Sequence, residues 1–513
     1  MTGAVDEAEG IFNNAIARDE RVDSRIGRGN RISLSLVRWY NKRKIRELEE
    51  GGIQMIPSLP IIGSIHKLFR KGLIQTETAW LEHYGNVVGW YNGFILNVVI
   101  RDRTMISEVL VKKFNIFTNR WVPDIFPDPL NKGVSFLHDE EWKRVRSLLM
   151  PVFHTPKIRK MTASVNKCAA SVTFEFEKAA TADSTITPKS LFLTYALNVI
   201  STCGFGLDLD NDDKKKGIFY DNLQHLFCNK FNLSLILAVI IPYGDKILKM
   251  CDVSPFPTKA VQFIADETTQ MIDKRRKDPK LRKDDLLQML SDLSWEEHGN
   301  KTKLSTEEVN AQSFAFLIGA YETTGSCLQY IAYELALNQH VQNKLKNEIK
   351  DVVGQAEPNY NHLQDLKYTG YVINEALRKY PTLGRLSRHC SKSTTIQGVK
   401  IPKGAAVVIP IYHIHHNPSI YPDPEDFRPE RFSPESGHKV DPMLFLPFGG
   451  GPRMCIGRRF AIMEMKLVLV HLMRKIRFVS CKETEPSPPQ FLKSTPMPHT
   501  VNPIKIKVIF DQF

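Results

Sequence analysis

Apolar residues recur at helical spacing along most of this chain. Several segments carry apolar positions three and four residues apart opposite a charged face, which is the pattern of amphipathic helices. These segments are residues 140–150, 164–178, 191–202, 259–276, 305–338 and 366–380. A further apolar segment, residues 461–473, follows a glycine-rich loop and is also expected to be helical. The pattern predicts a mainly α-helical protein.

Strand patterns are confined to two short regions. Apolar and polar residues alternate in residues 87–100, and Gly85 and Gly93 interrupt them, which predicts a hairpin of a small sheet. A second strand-rich region, residues 394–401 and 405–411, precedes a proline-rich meander at residues 417–434. The protein should therefore carry small sheets beside a large helical body.

The first 50 residues differ from the rest of the chain. Residues 1–30 are polar and mixed in charge, unlike a secretory signal or an acid-poor transit peptide. Residues 32–40 form a short amphipathic patch, and a basic run from Lys42 to Arg46 follows it. A membrane-spanning helix needs about 20 apolar residues. We therefore expect residues 1–50 to be a polar and basic segment without a transmembrane anchor, and residues 51–513 to form one catalytic domain.

Composition excludes several classes of function. Hydrophobic residues make up 42% of the chain, enough for a large core. The eight cysteines show no paired spacing, which argues against zinc ribbons and a disulfide framework and for a reducing compartment. The net charge of +13 suits an acidic protein partner or an anionic membrane. No basic stripe interleaved with aromatic residues suggests nucleic-acid binding.

The strongest chemical signal is the glycine-rich loop at residues 448–457. It ends in Cys455 just before the predicted helix, where backbone N–H groups and the helix dipole favour a thiolate. Gly449 and Gly457 would let the backbone approach a flat partner closely. Arg453 could pair with a carboxylate of that partner, and Phe448 could shield the sulfur. A buried structural cysteine in a capping turn is the alternative, but the spacing favours a haem whose iron is bound by Cys455.

A second unusual stretch, residues 314–324, lies inside the long apolar helical segment. Gly319 and Ala320 are followed by an acid, Glu322, and a hydroxyl, Thr323. One interpretation is a close helix–helix contact at Gly319 and Ala320, with the threonine bonded to the preceding turn. The other is a groove for O2 beside a haem, in which Thr323 and Glu322 deliver the protons that cleavage of the O–O bond requires.

The loop matches the pattern Phe-x-x-Gly-x-Arg-x-Cys-x-Gly completely, and the chain thereby resembles the cytochrome P450 superfamily. The resemblance covers roughly residues 55–510. Within that superfamily, residues 139–147 and 320–324 look most like the branch of animal microsomal drug- and steroid-oxidising enzymes and thromboxane synthase. The order Gly319-Ala320 departs from the commoner Ala-Gly of the family. The resemblance implies a triangular, mostly helical domain with small β-sheets.

Further haem contacts follow from the resemblance alone. Trp142 and Arg146 match the family's Trp-x-x-x-Arg, which binds a haem propionate. Arg120 and Arg388 lie where relatives place other propionate partners, although a solvated surface arginine is the alternative for each. Together with Arg453 they would serve the two propionates of haem b.

The same resemblance implies a structural triad. Glu375 and Arg378 match the family's Glu-x-x-Arg, and Arg431 matches the arginine of Pro-Glu-Arg-Phe. Alone, the first two would be an ordinary surface pair on one helix face. Buried together, the three would lock the meander beneath the cysteine loop.

The resemblance implies a haem-thiolate monooxygenase that uses O2 and hydroxylates a lipophilic substrate such as a steroid, a fatty acid or a xenobiotic. Electrons would come from NADPH through a flavoprotein reductase, with cytochrome b5 as an optional second partner. The basic residues expected to dock an acidic reductase are Lys143, Arg144, Arg458 and Arg459. An endoperoxide isomerase, which needs neither O2 nor reductase, and a non-catalytic haem sensor are the alternatives.

Localisation is expected at the cytosolic face of the endoplasmic reticulum, through peripheral membrane contact. The apolar run at residues 233–241 could be a buried helix, or a segment that dips into the bilayer as this region does in microsomal relatives. A cytosolic protein, or an anchor upstream of Met1, are the other possibilities.

Overall fold

The structure is a computed structural model. It describes residues 43–513 except 60–61, 208–212, 227–233, 235–236, 239–240, 242, 252, 255–256, 294–302, 438–439 and 493–498. The amphipathic patch at residues 32–40 and most of the apolar run at 233–241 lie outside the described residues, so the expectations placed on them remain predictions.

Helices dominate the described part of the chain. Residues 43–50 are helical. The α-helices that follow are α1 His66–Lys71, α2 Leu73–Tyr84, α3 Arg103–Ser107, α4 Asp139–Leu149, α5 Thr155–Thr181, α6 Pro188–Phe205, α7 Asp213–Leu226, α8 Gly244–Met250, α9 Thr258–Lys277, α10 Leu286–Asp292, α11 Thr306–Leu337, α12 Gln339–Val352, α13 His362–Asp365, α14 Lys367–Lys379, α15 Ile411–His415 and α16 Arg458–Lys475. The predicted mainly α-helical class is confirmed.

Three small sheets accompany the helices in the part of the chain that the structure describes. The strands are β1 Gln54–Met55, β2 Val87–Asn92, β3 Ile95–Ile100, β4 Leu386–His389, β5 Thr394–Ile396, β6 Val399–Ile401, β7 Ala406–Ile409, β8 Ile476–Val479 and β9 Lys507–Phe510. The largest sheet has the order β1-β2-β3-β7-β4, and β5–β6 and β8–β9 form antiparallel pairs. The predicted hairpin at residues 87–100 is the β2–β3 pair.

The second strand region was predicted slightly too long. Strand β7 ends at Ile409, and the chain passes through Pro410 into helix α15, which begins at Ile411. Proline has no N–H to continue a strand ladder. Periodicity alone did not separate the buried strand from the short apolar helix that follows it.

Helix α11 is the central element of the helical body. Its N-terminus is closed by a capping box, in which the Ser305 side chain accepts from the Glu308 N–H and the Glu308 carboxylate accepts from the Ser305 N–H. Its C-terminal half is almost entirely buried. At Gly325 an added Cβ would lie 2.7 Å from Leu193 of α6, so this glycine permits the close packing of the two helices. The close helix contact considered for Gly319 and Ala320 therefore occurs one and a half turns further on.

Candidate active site

The cysteine loop is held in place by its own backbone and by Leu110. Gly451 has φ +67°, and a Cβ there would lie 2.0 Å from the Leu110 carbonyl oxygen, so only glycine fits. The Cys455 N–H donates to the Phe448 carbonyl oxygen at 2.9 Å. The loop thus folds back on itself and delivers Cys455 to the start of α16, as the sequence predicted.

The Cys455 side chain is exposed although protein atoms surround its base. Desolvation raises the pKa of its thiol. Backbone hydrogen bonds from Gly457 and Arg458 and the positive charges of Arg120 and Arg146 oppose this rise in pKa without cancelling it. The open face of the sulfur and the donors behind it suit a thiolate that binds a metal ion.

Four arginines converge beside this cysteine. Arg453 is buried, and its guanidinium donates to the carbonyl oxygens of Thr118 at 2.6 Å and Leu137 at 2.8 Å. The same guanidinium stacks 4.2 Å from the ring centroid of Trp142. Arg146 donates to the Met454 carbonyl oxygen at 2.7 Å.

Arg120 and Arg388 complete the arginine cluster. Arg388 is buried at the end of the five-stranded sheet, and Arg120 lies in the loop before α4. Arg120 reaches the Arg453 carbonyl oxygen at 3.5 Å. In the part of the chain that the structure describes, the buried Nε atoms of Arg120 and Arg388 have no hydrogen-bond partner.

The positive charge of the four clustered arginines favours the binding of an anion. Burial, and then repulsion from the neighbouring arginines, lowers the pKa of Arg453 to about 9. Burial and the charge of Arg120 lower the pKa of Arg388 to about 9 as well. The Asp139 carboxylate raises the pKa of Arg453, but its effect is smaller than those of burial and of the neighbouring arginines. Buried cations without paired anions are costly, so this cluster fits a ligand with more than one carboxylate, such as a haem with its two propionates.

One face of α11 is open. A Cβ on Gly319 would meet no atom within 4 Å, and Gly319 is exposed near the middle of the helix. Thr323 is half-buried one turn later, and its hydroxyl donates to the Gly319 carbonyl oxygen at 2.6 Å. Ala320 packs against the core. Thr323 therefore makes the hydrogen bond to the preceding turn and still faces the open side of the helix.

Glu322 is surrounded by partners that the sequence did not reveal. Its carboxylate is buried, pairs with Lys189 of α6 at 2.7 Å and accepts from the Ser326 hydroxyl at 3.0 Å. His499, far along the chain, lies 3.7 Å from the same oxygen. No hydrogen bond joins Glu322 to Thr323 within the described residues. No local pattern signals Lys189 or His499, because both reach Glu322 only through the fold.

Glu375, Arg378 and Arg431 come together in a buried triad. Two parallel hydrogen bonds, of 2.8 and 2.9 Å, join Arg378 to the Glu375 carboxylate. Arg431 Nε donates to the same carboxylate at 3.3 Å. Glu375 and Arg378 are 0% exposed, so this is a fully desolvated ion pair. Arg378 also donates to carbonyl oxygens of His415 and Pro424, which ties the meander to α14.

Comparison with known proteins agrees with this geometry. The family model "Cytochrome P450" matches residues 54–508. Cytochrome P450 3A29 of Sus scrofa is 36% identical over 490 residues, which cover 92% of this chain and 96% of the relative. Cytochrome P450 3A5 of Homo sapiens is 36% identical over 460 residues, which cover 88% of this chain and 91% of the relative. This chain belongs to the cytochrome P450 family, as a haem-thiolate monooxygenase of the animal microsomal drug-oxidising branch.

Proposed function

We propose that this monooxygenase hydroxylates a lipophilic small molecule with O2 and with electrons that a flavoprotein reductase takes from NADPH. The observation that carries the proposal is the arrangement of the open Cys455 thiol beside a buried cluster of four arginines. That arrangement fits a haem bound through its iron and its propionates.

Each residue of the site has a defined part in this proposal. Cys455 binds the iron, and Arg120, Arg146, Arg388 and Arg453 bind the propionates. The Trp142 ring packs against the Arg453 guanidinium. The residues that border the haem are Phe448, Gly449, Gly457, Gly319 and Ala320. When bound, the haem supplies O2 activation for insertion of one oxygen atom into a C–H bond.

We propose that Thr323 and Glu322 hold and transfer protons at the open face of α11. Thr323 faces the open side of α11, where its hydroxyl can hold a water and pass on a proton. Glu322 lies one residue earlier and pairs with Lys189, whose side chain is 28% exposed. Glu322 therefore connects the buried side of α11 to Lys189, whose side chain reaches solvent.

The reductase is proposed to dock on the basic surface near the cysteine loop. Arg458 and Arg459 at the start of α16 are exposed. Lys143 pairs with Glu140 at 2.6 Å, and Arg144 is engaged by Glu308, so these two cations are partly neutralised within the protein. Arg458 and Arg459 are thus the stronger candidates for attracting an acidic partner.

Coupling of NADPH consumption to product tests both the function and the role of Thr323. With purified reductase and a panel of steroids, fatty acids and drugs, the unaltered protein should turn NADPH into hydroxylated product. Thr323→Ala should keep haem but divert most NADPH to hydrogen peroxide, a loss of about 10²-fold or less in product. The hydroxyl that orders water is lost while the iron ligand is unchanged.

Ser313→Ala is the control, because it removes another α11 hydroxyl that bonds the carbonyl oxygen of the preceding turn, that of Val309 at 2.8 Å, but Ser313 is buried. It should stay largely coupled. Full coupling in Thr323→Ala across several substrates would make Thr323 an ordinary helix residue. Endoperoxide isomerisation without any NADPH consumption would favour the isomerase instead of a monooxygenase.

We also propose peripheral contact with the endoplasmic reticulum. Around α8 the apolar side chains of Tyr243, Ile247 and Met250 are exposed by 73%, 46% and 87%. Lys246 lies beside them, and Lys249 on the same helix pairs with Asp124 at 2.9 Å. Such an apolar surface with a neighbouring cation suits an anionic bilayer, to which a cation near the surface adds about 1 kcal/mol. Within the described residues, no helix has both the length and the apolar character to cross a bilayer.

Fractionation of expressing cells should therefore recover the protein with membranes at low salt and release much of it with high salt or alkaline carbonate. Met250→Glu should weaken this association, whereas Leu281→Glu, at an apolar residue that is 46% exposed after α9, should not. Recovery wholly in the soluble fraction at low salt would contradict peripheral binding. Pelleting that resists carbonate would indicate a firmer anchor.

A further inference from the structure

His415 occupies an unusual position between the buried triad and the cysteine loop. It is the last residue of α15 and is 0% exposed. Its ring stacks on Phe445, with centroids 5.5 Å apart and planes 27° apart, and it meets the edge of Tyr421. A histidine buried so completely should have both ring nitrogens satisfied.

Both nitrogens are satisfied by backbone groups from different elements. Nδ1 lies 3.1 Å from the Arg378 carbonyl oxygen on α14, and Nε2 lies 3.1 Å from the Leu446 N–H before the cysteine loop. A carbonyl oxygen only accepts and a backbone N–H only donates. His415 must therefore be neutral, with its proton on Nδ1 and the lone pair of Nε2 accepting from Leu446.

A short run of hydrogen bonds continues from His415 to the cysteine. The Leu446 carbonyl oxygen accepts from the Gly449 N–H at 2.9 Å. The Phe448 carbonyl oxygen then accepts from the Cys455 N–H at 2.9 Å. Arg378, at the other end, is itself fixed by Glu375 and by the His415 carbonyl oxygen. The imidazole is thus a rigid bridge between the triad and the loop that carries the thiolate.

We propose that His415, in its Nδ1–H tautomer, is a positioning residue that transmits the rigidity of the triad to Cys455. The proposal rests on the proposed function, since it concerns the cysteine that binds the haem iron. The other histidines of this region lack such a bridge. His413 contacts Arg101 Nη1 at 3.2 Å, and His416 Nδ1 bonds the Tyr412 carbonyl oxygen of its own helical turn.

Two variants separate the two ends of the bridge. His415→Asn can keep a donor near the Nδ1 position but has no atom that reaches Leu446. His415→Gln can place its amide oxygen near the Nε2 position and still accept from Leu446. His413→Gln is the matched control, since it alters a buried histidine of α15 that does not touch the cysteine loop.

Amide hydrogen exchange of residues 444–457 and the spectrum of the reduced protein with CO are the measurements. We expect the amide hydrogens of Leu446 and Gly449 to exchange at least about tenfold faster in His415→Asn than in the unaltered protein, because one buried hydrogen bond is lost. We also expect a larger share of the reduced, CO-bound His415→Asn protein to show the band of a form that lacks the thiolate ligand. His415→Gln keeps the acceptor for the Leu446 N–H but loses the Nδ1–H donor to the Arg378 carbonyl oxygen, so it should show a smaller change in the same direction in both measurements. His413→Gln should change neither measurement for this loop.

Equal exchange and equal spectra in His415→Asn and the unaltered protein would overturn the proposal. If the variants do not fold, ¹⁵N shifts of labelled histidine in the unaltered protein decide the matter, because an Nε2–H tautomer at His415 would overturn it. A missing thiolate band in the unaltered protein would instead refute the proposed function, and the exchange and tautomer results would be unaffected by it.

Discussion

Replacement of Cys455 by serine is expected to abolish the red-shifted Soret band that the reduced protein should show with CO. That band reports a thiolate ligand, and a serine hydroxyl does not ionise in the range in which a cysteine with an ordinary pKa of about 8.5 does. The donors from Gly457 and Arg458 and the exposed sulfur support the prediction that Cys455 is the ligand. The expected loss is complete, as measured by the CO difference spectrum of equal amounts of folded protein.

Cys251→Ser serves as the control, because Cys251 is another exposed thiol but lies after α8, away from the arginine cluster. It should leave the band intact. A Cys455→Ser protein that still shows the band would assign the iron ligand to another residue and would end the present account of the site.

Arg431→Ala is expected to give protein that is poorly folded or lacks haem, without a folded form of altered specificity. The substitution removes one of the two cations on the Glu375 carboxylate, which is 0% exposed. Leaving a buried ion short of its partner costs about 3–5 kcal/mol. Whole proteins are stable by only about 5–15 kcal/mol. Urea unfolding and haem content per mole of protein measure the effect.

Arg428→Ala is the matched control on the same meander. The Arg428 side chain is 44% exposed and pairs with Asp423 and Asp426, while its backbone N–H donates to Glu375 at 3.0 Å and survives the substitution. Exposed pairs of this kind contribute about 0–1 kcal/mol. Normal yield and haem content in Arg431→Ala would show that the triad is dispensable in this protein.

Local elements were largely predictable from the sequence. The six helices expected from apolar spacing all occur: three are longer than predicted, two are one residue shorter at each end, and one is shifted by one residue. The β2–β3 hairpin lies where alternation placed it. Helix α5 is the largest extension, since it spans Thr155–Thr181 and the periodic pattern began only at residue 164. Hydrogen bonding and side-chain periodicity within one helix depend on neighbours three and four residues away, so the sequence carries that information directly.

The cysteine loop was equally predictable from the sequence, because its chemically important residues lie within ten consecutive positions. Gly451 and Arg453 lie in a short turn just before Cys455 and the start of α16. What the sequence did not reveal is which backbone groups hold the Arg453 guanidinium in place. Arg453 lies against the Thr118 and Leu137 carbonyl oxygens, more than 300 positions away in the chain.

The sequence by itself therefore determined the helical class and the family, and it predicted Cys455 as the thiolate. The tertiary structure alone decided that burial and mutual repulsion lower the pKa values of Arg453 and Arg388, that Glu322 pairs with Lys189 near His499, and that His415 bridges Arg378 and Leu446. The physical reason is that burial and repulsion among arginines, and the tautomer of a buried histidine, depend on atoms brought together through space. Spacing along the chain carries no record of those distances.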